Sequence, residues 1–279
     1  MNFSRIIQIL KIKYRFREFF SLANKALHIS NRFLDKIENQ AFEEIPVGAK
    51  RVCIALFIQA IRLLDSAIIL CKKGLDEEAS ILVRSLLENT SYLMFISEKD
   101  HEKRAELYMH SRALSEPKVI RQLNSHVPDG EEEIDDKFYL ENEQKAIEYF
   151  RKEYGKELTI DDIKKKYALR PQNAAEKLSV DVNIKKMFHS TYHMFYPVSS
   201  TVTHAEAPLR FLSFQNNQPC FNRWSRGGPT TRLCLQASIL FTLYGMDNLS
   251  KLLAIDTNVD IDSMTDKLFS FIEGGVNST

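Results

Sequence analysis

Apolar residues along this chain recur at helical spacing far more often than in alternation. Ile6, Ile9, Leu10, Phe16 and Phe20 follow that period, with Arg5, Lys11, Lys13, Arg15 and Arg17 between them. Residues 1–44 therefore read as one or two basic amphipathic helices. Pro46 and Gly48 punctuate the start of the next unit. Over residues 49–73 a long helix is apolar almost all round, and Gly74 supplies its C-terminal stop. Asp76, Glu77 and Glu78 then place negative charge at the next helix N-terminus, where the macrodipole favours it. That helix runs to about Ser97. A break over residues 98–100 leads into a third helix, with Ala105, Tyr108 and Ala113 inward and an interruption at Pro117. Long helices on short connections imply antiparallel neighbours in a bundle.

The pattern changes between residues 128 and 166. An acidic loop over residues 129–136 gives way to a charged helix over 141–154, and Thr159-Ile-Asp-Asp162 has the form of an N-cap with an acidic first turn. Short helices are expected over 174–178 and 183–195. A helix restarting at Pro197 and stopping before Pro208 carries Ser199, Ser200 and His204. Two alternating runs around Asn216-Asn217 predict a small β-hairpin near residues 210–224, because asparagine tolerates positive φ. Thr230 is placed as the cap of a long helix to about Leu253, and residues 261–272 form the last. The expected fold is mainly α. It has a basic amphipathic helical extension over 1–44 and a helical bundle over 45–279, with a charged peripheral insertion at about 128–166.

Composition agrees. Of 279 residues 44% are hydrophobic and 27% charged, as in an ordinary globular protein. Nine Gly and eight Pro are too few for a turn-rich β-sandwich. Lys and Arg total 38 against 37 for Asp and Glu, so whole-molecule charge gives no reason to expect polyanion binding. Nucleic-acid contact has to be local, and Lys11, Lys13, Arg15 and Arg17 are its candidates. The same helix suits a membrane surface, and its apolar side equally suits docking on the protein body or on a second copy. Two apolar runs, 52–61 and 233–246, fall short of the roughly 20 residues a membrane span needs and read as core helices. The cysteines Cys53, Cys71, Cys220 and Cys234 form no C-x-x-C pair. That argues against a disulfide framework or thiolate zinc. With no secretory signal, it points to free thiols in a reducing cytoplasm.

Residues four apart on a helix stack on one side. Arg84, Glu88 and Tyr92 form one such column, and Tyr196, Ser200 and His204 another. Arg84 stands among Leu82, Val83, Leu86 and Leu87, and a buried guanidinium needs a carboxylate, which Glu88 can supply. The column then has two readings: an ion pair that fixes helix packing, or a polar pocket where Arg84 binds an anion and His204 moves a proton. His189 and His193 have the spacing of helical metal ligands, but position 190 is Ser, so the H-E-x-x-H pattern fails and no metal or other cofactor is expected. No Gly-x-Ser-x-Gly elbow surrounds Ser199 and Ser200, and no Walker loop occurs. The Arg–His spacing of HEPN ribonucleases appears at Arg121 with His126 and at Arg104 with His110, about as often as chance allows.

Four blocks occur in a fixed order over about residues 50–215: Arg84-Ser-Leu-Leu-Glu88, Arg104-Ala105-x-x-Tyr108, Ala175-Glu-Lys-Leu178 and Tyr196-x-x-x-Ser200-x-x-x-His204. In that order they resemble a bacterial family of helical proteins of unknown function. Where the family often has a tryptophan before the third block, Tyr167 or Leu169 stands here. Some members sit near phage-defence genes. The resemblance implies a cytosolic accessory or effector protein of stress or phage defence, with RNA, a nucleotide, a protein encoded nearby or a second copy as partner. Its polar pocket would hold Arg84, Glu88, Tyr108, Tyr196, Ser200 and His204. As an enzyme it would cleave RNA without metal, His204 acting as base on a ribose 2′-hydroxyl and Arg84 steadying the phosphate. Glu88 would hold Arg84, with Tyr108, Tyr196 and Ser200 lining the site. As a non-catalytic module, it would use the same residues as polar glue while binding a protein or a small anion.

Overall fold

The computed structural model describes residues 3–39, 48–126, 134–177, 191, 193, 212–215, 218–221, 229–257, 261, 263–268 and 270. The amphipathic N-terminal segment forms α1 (Phe3–Arg15) and α2 (Arg17–Asn39), parted by Phe16 alone. The long apolar run is α3 (Ala49–Lys72), and Gly74 closes it with φ of 72°. The amides of Gly74 and Leu75 fold back onto the carbonyls of Cys71 and Leu70, the usual way a left-handed residue satisfies a helix end. Helix α4 (Asp76–Glu98) begins with the three expected acids. Asp100, at φ 47°, turns the chain into α5 (His101–Ala113).

Pro117 does not interrupt a helix. The break falls at Leu114–Ser115, and Pro117 lies in the first turn of α6 (Glu116–Asn124). A proline there loses only an amide that has no helical partner anyway. The same logic moves the start of the C-terminal long helix, α10 (Pro229–Leu253), so that Thr230 lies inside its first turn instead of capping it. Residues 261, 263–268 and 270 are helical as expected. The predicted hairpin is present as β1 (Leu212–Gln215) and β2 (Gln218–Phe221), antiparallel, with Gln215 opposite Gln218; residues 216 and 217 between them lie outside the described residues.

The main core lies where α3, α4 and α10 pack on one another and α2 covers α3 and α10. Phe33, Phe57, Leu64, Leu86, Leu93 and Phe241 are sealed inside it. Among the described residues α3 is the helix long and apolar enough to cross a membrane, and half of that apolar stretch is buried. Polar groups inside the bundle are spent on neighbouring helices. Asn89 donates to the Leu56 carbonyl of α3, and Thr90 donates to the Phe241 carbonyl of α10 at 3.3 Å. Helix α4 is thereby bonded to both partners, which offsets the cost of burying an amide and a hydroxyl.

Gly48 joins α3 to α5. The Ala49 amide donates to the Glu102 carboxylate at 3.1 Å, so a side chain of α5 caps the start of α3. Gly48 sits at φ 145°, and a Cβ there would fall 1.9 Å from Glu102 Oε2. The backbone angle is what requires glycine; a Cβ would in addition push the Glu102 carboxylate off the Ala49 amide.

A smaller cluster lies beside the bundle. Helix α7 (Lys137–Tyr154) packs on α5 and α6, and Ala113, Leu114, Ala146, Ile147, Phe150 and Ile163 form its interior. Thr159 caps the short α8 (Ile160–Asp162), its hydroxyl oxygen accepting from the Asp162 amide at 3.1 Å. The chain then widens into a π turn (Ile163–Tyr167), which the sequence pattern did not suggest. Helix α9 (Pro171–Lys177) returns to pack on α4. Asn124 bonds both ways to the backbone of Ile134, at 2.9 and 3.0 Å, and so ties the end of α6 to the approach to α7.

Candidate functional site

The first column expected from the sequence forms in part. Arg84 Nε donates to Glu88 Oε1 at 3.0 Å. The pair is not buried: its side chains keep 30% and 27% of their exposure. Val83, Leu86 and Leu87 face the core, which turns Arg84 and Glu88 to its margin. Tyr92 continues the column inward, and its ring meets Tyr108 of α5 edge-on at 5.0 Å. Tyr92 and Tyr108 thus meet across the seam of α4 and α5, while Glu88 and Arg84 stand one and two turns back along α4. Tyr196, Ser200 and His204 lie outside the described residues, as does His189, while His193 is exposed. Among the described residues no cluster of potential metal ligands occurs. Lys11, Lys13, Arg15 and Arg17 are all exposed along α1 and the start of α2.

The Arg–His pairs with HEPN spacing take different roles. The Arg104 guanidinium lies 4.2 Å above the Phe95 ring, donates to the Phe95 carbonyl, and bonds Glu98 at 2.8 Å. It is 8% exposed and serves to bind the end of α4 to α5. His110, six residues on, points elsewhere and stacks on Tyr149 of α7 at 4.2 Å. Arg121 and His126 do not converge on a pocket either: His126 Nδ1 bonds the Gln122 carbonyl at 2.7 Å on an exposed helix end.

The seam ends in a cleft of about 610 Å³ between α5, the start of α6 and α7. Tyr108, Met109, His110 and Arg112 line it from α5, Glu116 from α6, and Phe138, Asn142 and Lys145 from α7. Helical spacing brings them there. Arg112 follows Tyr108 by four residues, and Phe138, Asn142 and Lys145 share one face of α7 at steps of four and three. Burial raises the Tyr108 hydroxyl above its usual range, with Arg112 opposing and Glu116 adding to the effect. Tyr108 stays a hydrogen-bond donor at any physiological pH. Burial also lowers His110 below 6.5, with Glu106 opposing, so at neutral pH its imidazole is uncharged. Tyr149 beneath it is pushed up to about 12, first by burial and then by Tyr154, Glu153 and Glu106. The positive charge available to a ligand comes from Arg112 and Lys145, with the Glu116 carboxylate on the same lining. Both cations are exposed, and among the described residues neither has an ion-pair partner.

Of the residues lining this cleft, sequence reasoning singled out Tyr108 and His110 and passed over the rest. Arg112, Phe138 and Lys145 belong to two helices whose packing no local pattern reveals. The one available signal was the shared face of Phe138, Asn142 and Lys145, an exposed aromatic beside a cation.

Cys53, Cys71 and Cys234 are buried and unpaired by disulfide. Burial, reinforced by Glu102, pushes the Cys53 thiol up to about 12. The neighbouring Cys71 thiol and burial together raise that of Cys234.

Comparison with known proteins finds no match among curated proteins or solved structures. A family model does match, over residues 50–219, which takes in the α4–α5 seam and the whole cleft but leaves out α1, α2 and α10. By that match over more than half its length, the chain belongs to a family of unknown function, DUF5677.

Proposed function

We propose that this protein is a non-catalytic helical module that binds a small anionic ligand in the α5–α7 cleft. One observation carries the reading: Arg112 and Lys145 reach the same cleft from two helices, exposed and without carboxylate partners among the described residues. Two cations converging on a concave site are the ordinary recognition of phosphate or carboxylate. Phe138, 65% exposed at the rim, offers a face on which a planar group stacks, and Tyr108 and Asn142 offer hydrogen bonds. A nucleotide combines these features. The setting in cytoplasmic stress or phage defence belongs to the same proposal, and its support is the family resemblance alone.

Binding is better supported than RNA cleavage. Cleavage needs Arg84 on a phosphate and His204 as base, but the Arg84 guanidinium is already engaged by Glu88. Calorimetric titration of the full chain with pyrophosphate and with a nucleoside monophosphate tests the proposal. Losing one charge-assisted contact costs about 1.5–3 kcal/mol, so Arg112→Gln and Lys145→Gln should each weaken binding by about tenfold or more. Circular dichroism should stay unchanged. Absence of binding, or binding indifferent to both substitutions, would remove the cleft as the site.

A further inference from the structure

Helix α1 shows two apolar faces, and only one of them is used. Ile12 and Phe16 are buried in the main core at 2% and 6% exposure. On another face, Ile7, Leu10 and Tyr14 fall at steps of three and four, one above the other. They are 38%, 58% and 84% exposed. A shallow groove of about 550 Å³ runs along this stripe. Lys11 and Arg15 line it, and Lys13 and, at the start of α2, Arg17 are exposed as well. Residues 1–17 carry five cations and no acidic residue, in a chain otherwise close to neutral.

We infer that α1 seats the protein on an anionic lipid surface, with Ile7, Leu10 and Tyr14 entering the headgroup boundary and Lys11, Lys13 and Arg17 resting on lipid phosphates. The combination of features selects this occupant. Cations alone would serve a nucleic acid, but a phosphate backbone gains nothing from an exposed isoleucine, leucine and tyrosine set between them. A second copy would bury the apolar stripe but would bring two sets of five cations together, which repel. A membrane satisfies both. Aliphatic side chains leave water, the amphipathic tyrosine ring sits at the headgroup level, and the cations meet negative charge. With α1 docked by Ile12 and Phe16, the body of the protein lies on the far side of the helix from the bilayer and need not insert.

The test uses the full chain and sedimentation with vesicles of phosphatidylserine and phosphatidylcholine, against vesicles of phosphatidylcholine alone. Two variants separate the contributions: Ile7→Ser with Leu10→Ser and Tyr14→Ser, and Lys11→Gln with Lys13→Gln and Arg17→Gln. All six positions are exposed, so the fold should survive, as circular dichroism will show. The wild-type chain should bind the phosphatidylserine vesicles and not the neutral ones. The charge variant should lose affinity on the order of a hundredfold, and the apolar variant should lose binding as well. No vesicle binding overturns the inference. So does vesicle binding that survives the apolar substitutions, which is mere electrostatic adsorption. Tighter binding to single-stranded RNA, indifferent to the apolar variant, makes the helix a nucleic-acid arm. A dimer in sedimentation velocity that the apolar variant dissociates gives the stripe to a second copy.

Discussion

Helix α5 carries two arginines eight residues apart, and the contrast between them is the contrast between the two regions of the molecule. Arg104 faces the bundle. Its guanidinium is covered by Phe95, hydrogen-bonded to a carbonyl and paired with Glu98. Arg112 faces the flank, where it lines an open cleft beside Tyr108 and Lys145. In the bundle, polar groups such as Asn89 and Thr90 are consumed in holding helices together. On the flank, His110 and Tyr149 stack half exposed, with proton affinities moved by burial. Residue type does not separate structural from available chemistry here. The side of the helix does.

If the two regions are distinct in stability as well as in chemistry, removing one large side chain from each should show it most strongly. Phe57 fills the bundle and Phe150 the flank, and both are fully buried. Truncating either to alanine should cost about 3–5 kcal/mol of local packing. Phe57→Ala should lower hydrogen-exchange protection throughout α2, α3, α4 and α10. Phe150→Ala should lower it in α6 and α7, with the bundle amides near their original values, because subglobal opening follows local packing. Equal loss across α3 and α4 in both variants would make the molecule one cooperative unit and dissolve the comparison.

The bundle was the legible part. Helical periodicity, Gly74, the acids at Asp76–Glu78 and the Asn216-Asn217 pair each act through neighbours in sequence, so they marked α3, α4 and the two strands close to where the structure has them. Thr159 was legible as a cap for the same reason. What escaped depends on packing between distant segments. The Glu102 carboxylate on the Ala49 amide joins residues 53 apart. The cleft needs α5 against α7, and the Ile163–Tyr167 π turn sits beneath that contact. Arg84 shows the error in miniature. Its apolar sequence neighbours suggested burial, yet they face the core on one side of α4 while Arg84 and Glu88 lie at its edge.

The two arginine–glutamate pairs sharpen this. Glu98 and Arg104 keep only 17% and 10% of their side-chain exposure, against 27% and 30% for Glu88 and Arg84. Removing a carboxylate from a nearly buried pair leaves a desolvated guanidinium, so Glu98→Ala should cost about 3 kcal/mol. Solvent screens the second pair, and Glu88→Ala should cost less than about 1 kcal/mol, in the range of helical i,i+4 pairs. Urea denaturation of both variants gives the difference directly. Comparable losses would mean that Glu88 carries a structural load its exposure does not reveal.

The smallest effect expected is a dependence on pH that belongs to the flank alone. His110 has its folded-state proton affinity lowered from 6.5 by burial against α7. Above pH 6.5 the ring is neutral in both the folded and unfolded chain, and its contribution is constant. Below that value the unfolded chain takes up the proton first, so stability falls as pH falls from 6.5 through the lower folded value. His110→Phe keeps a ring on Tyr149 and removes the titration. The variant's melting temperature should therefore decline less than the wild type's below pH 6.5, and the difference between the two curves isolates this histidine from the other six. Pyrophosphate in the cleft should narrow that difference, because an anion beside His110 favours its charged form and draws its proton affinity back toward 6.5. Parallel curves without ligand would show that the ring is as well solvated in the folded chain as in the unfolded one. A gap that pyrophosphate leaves untouched would place the anion away from Arg112 and Lys145.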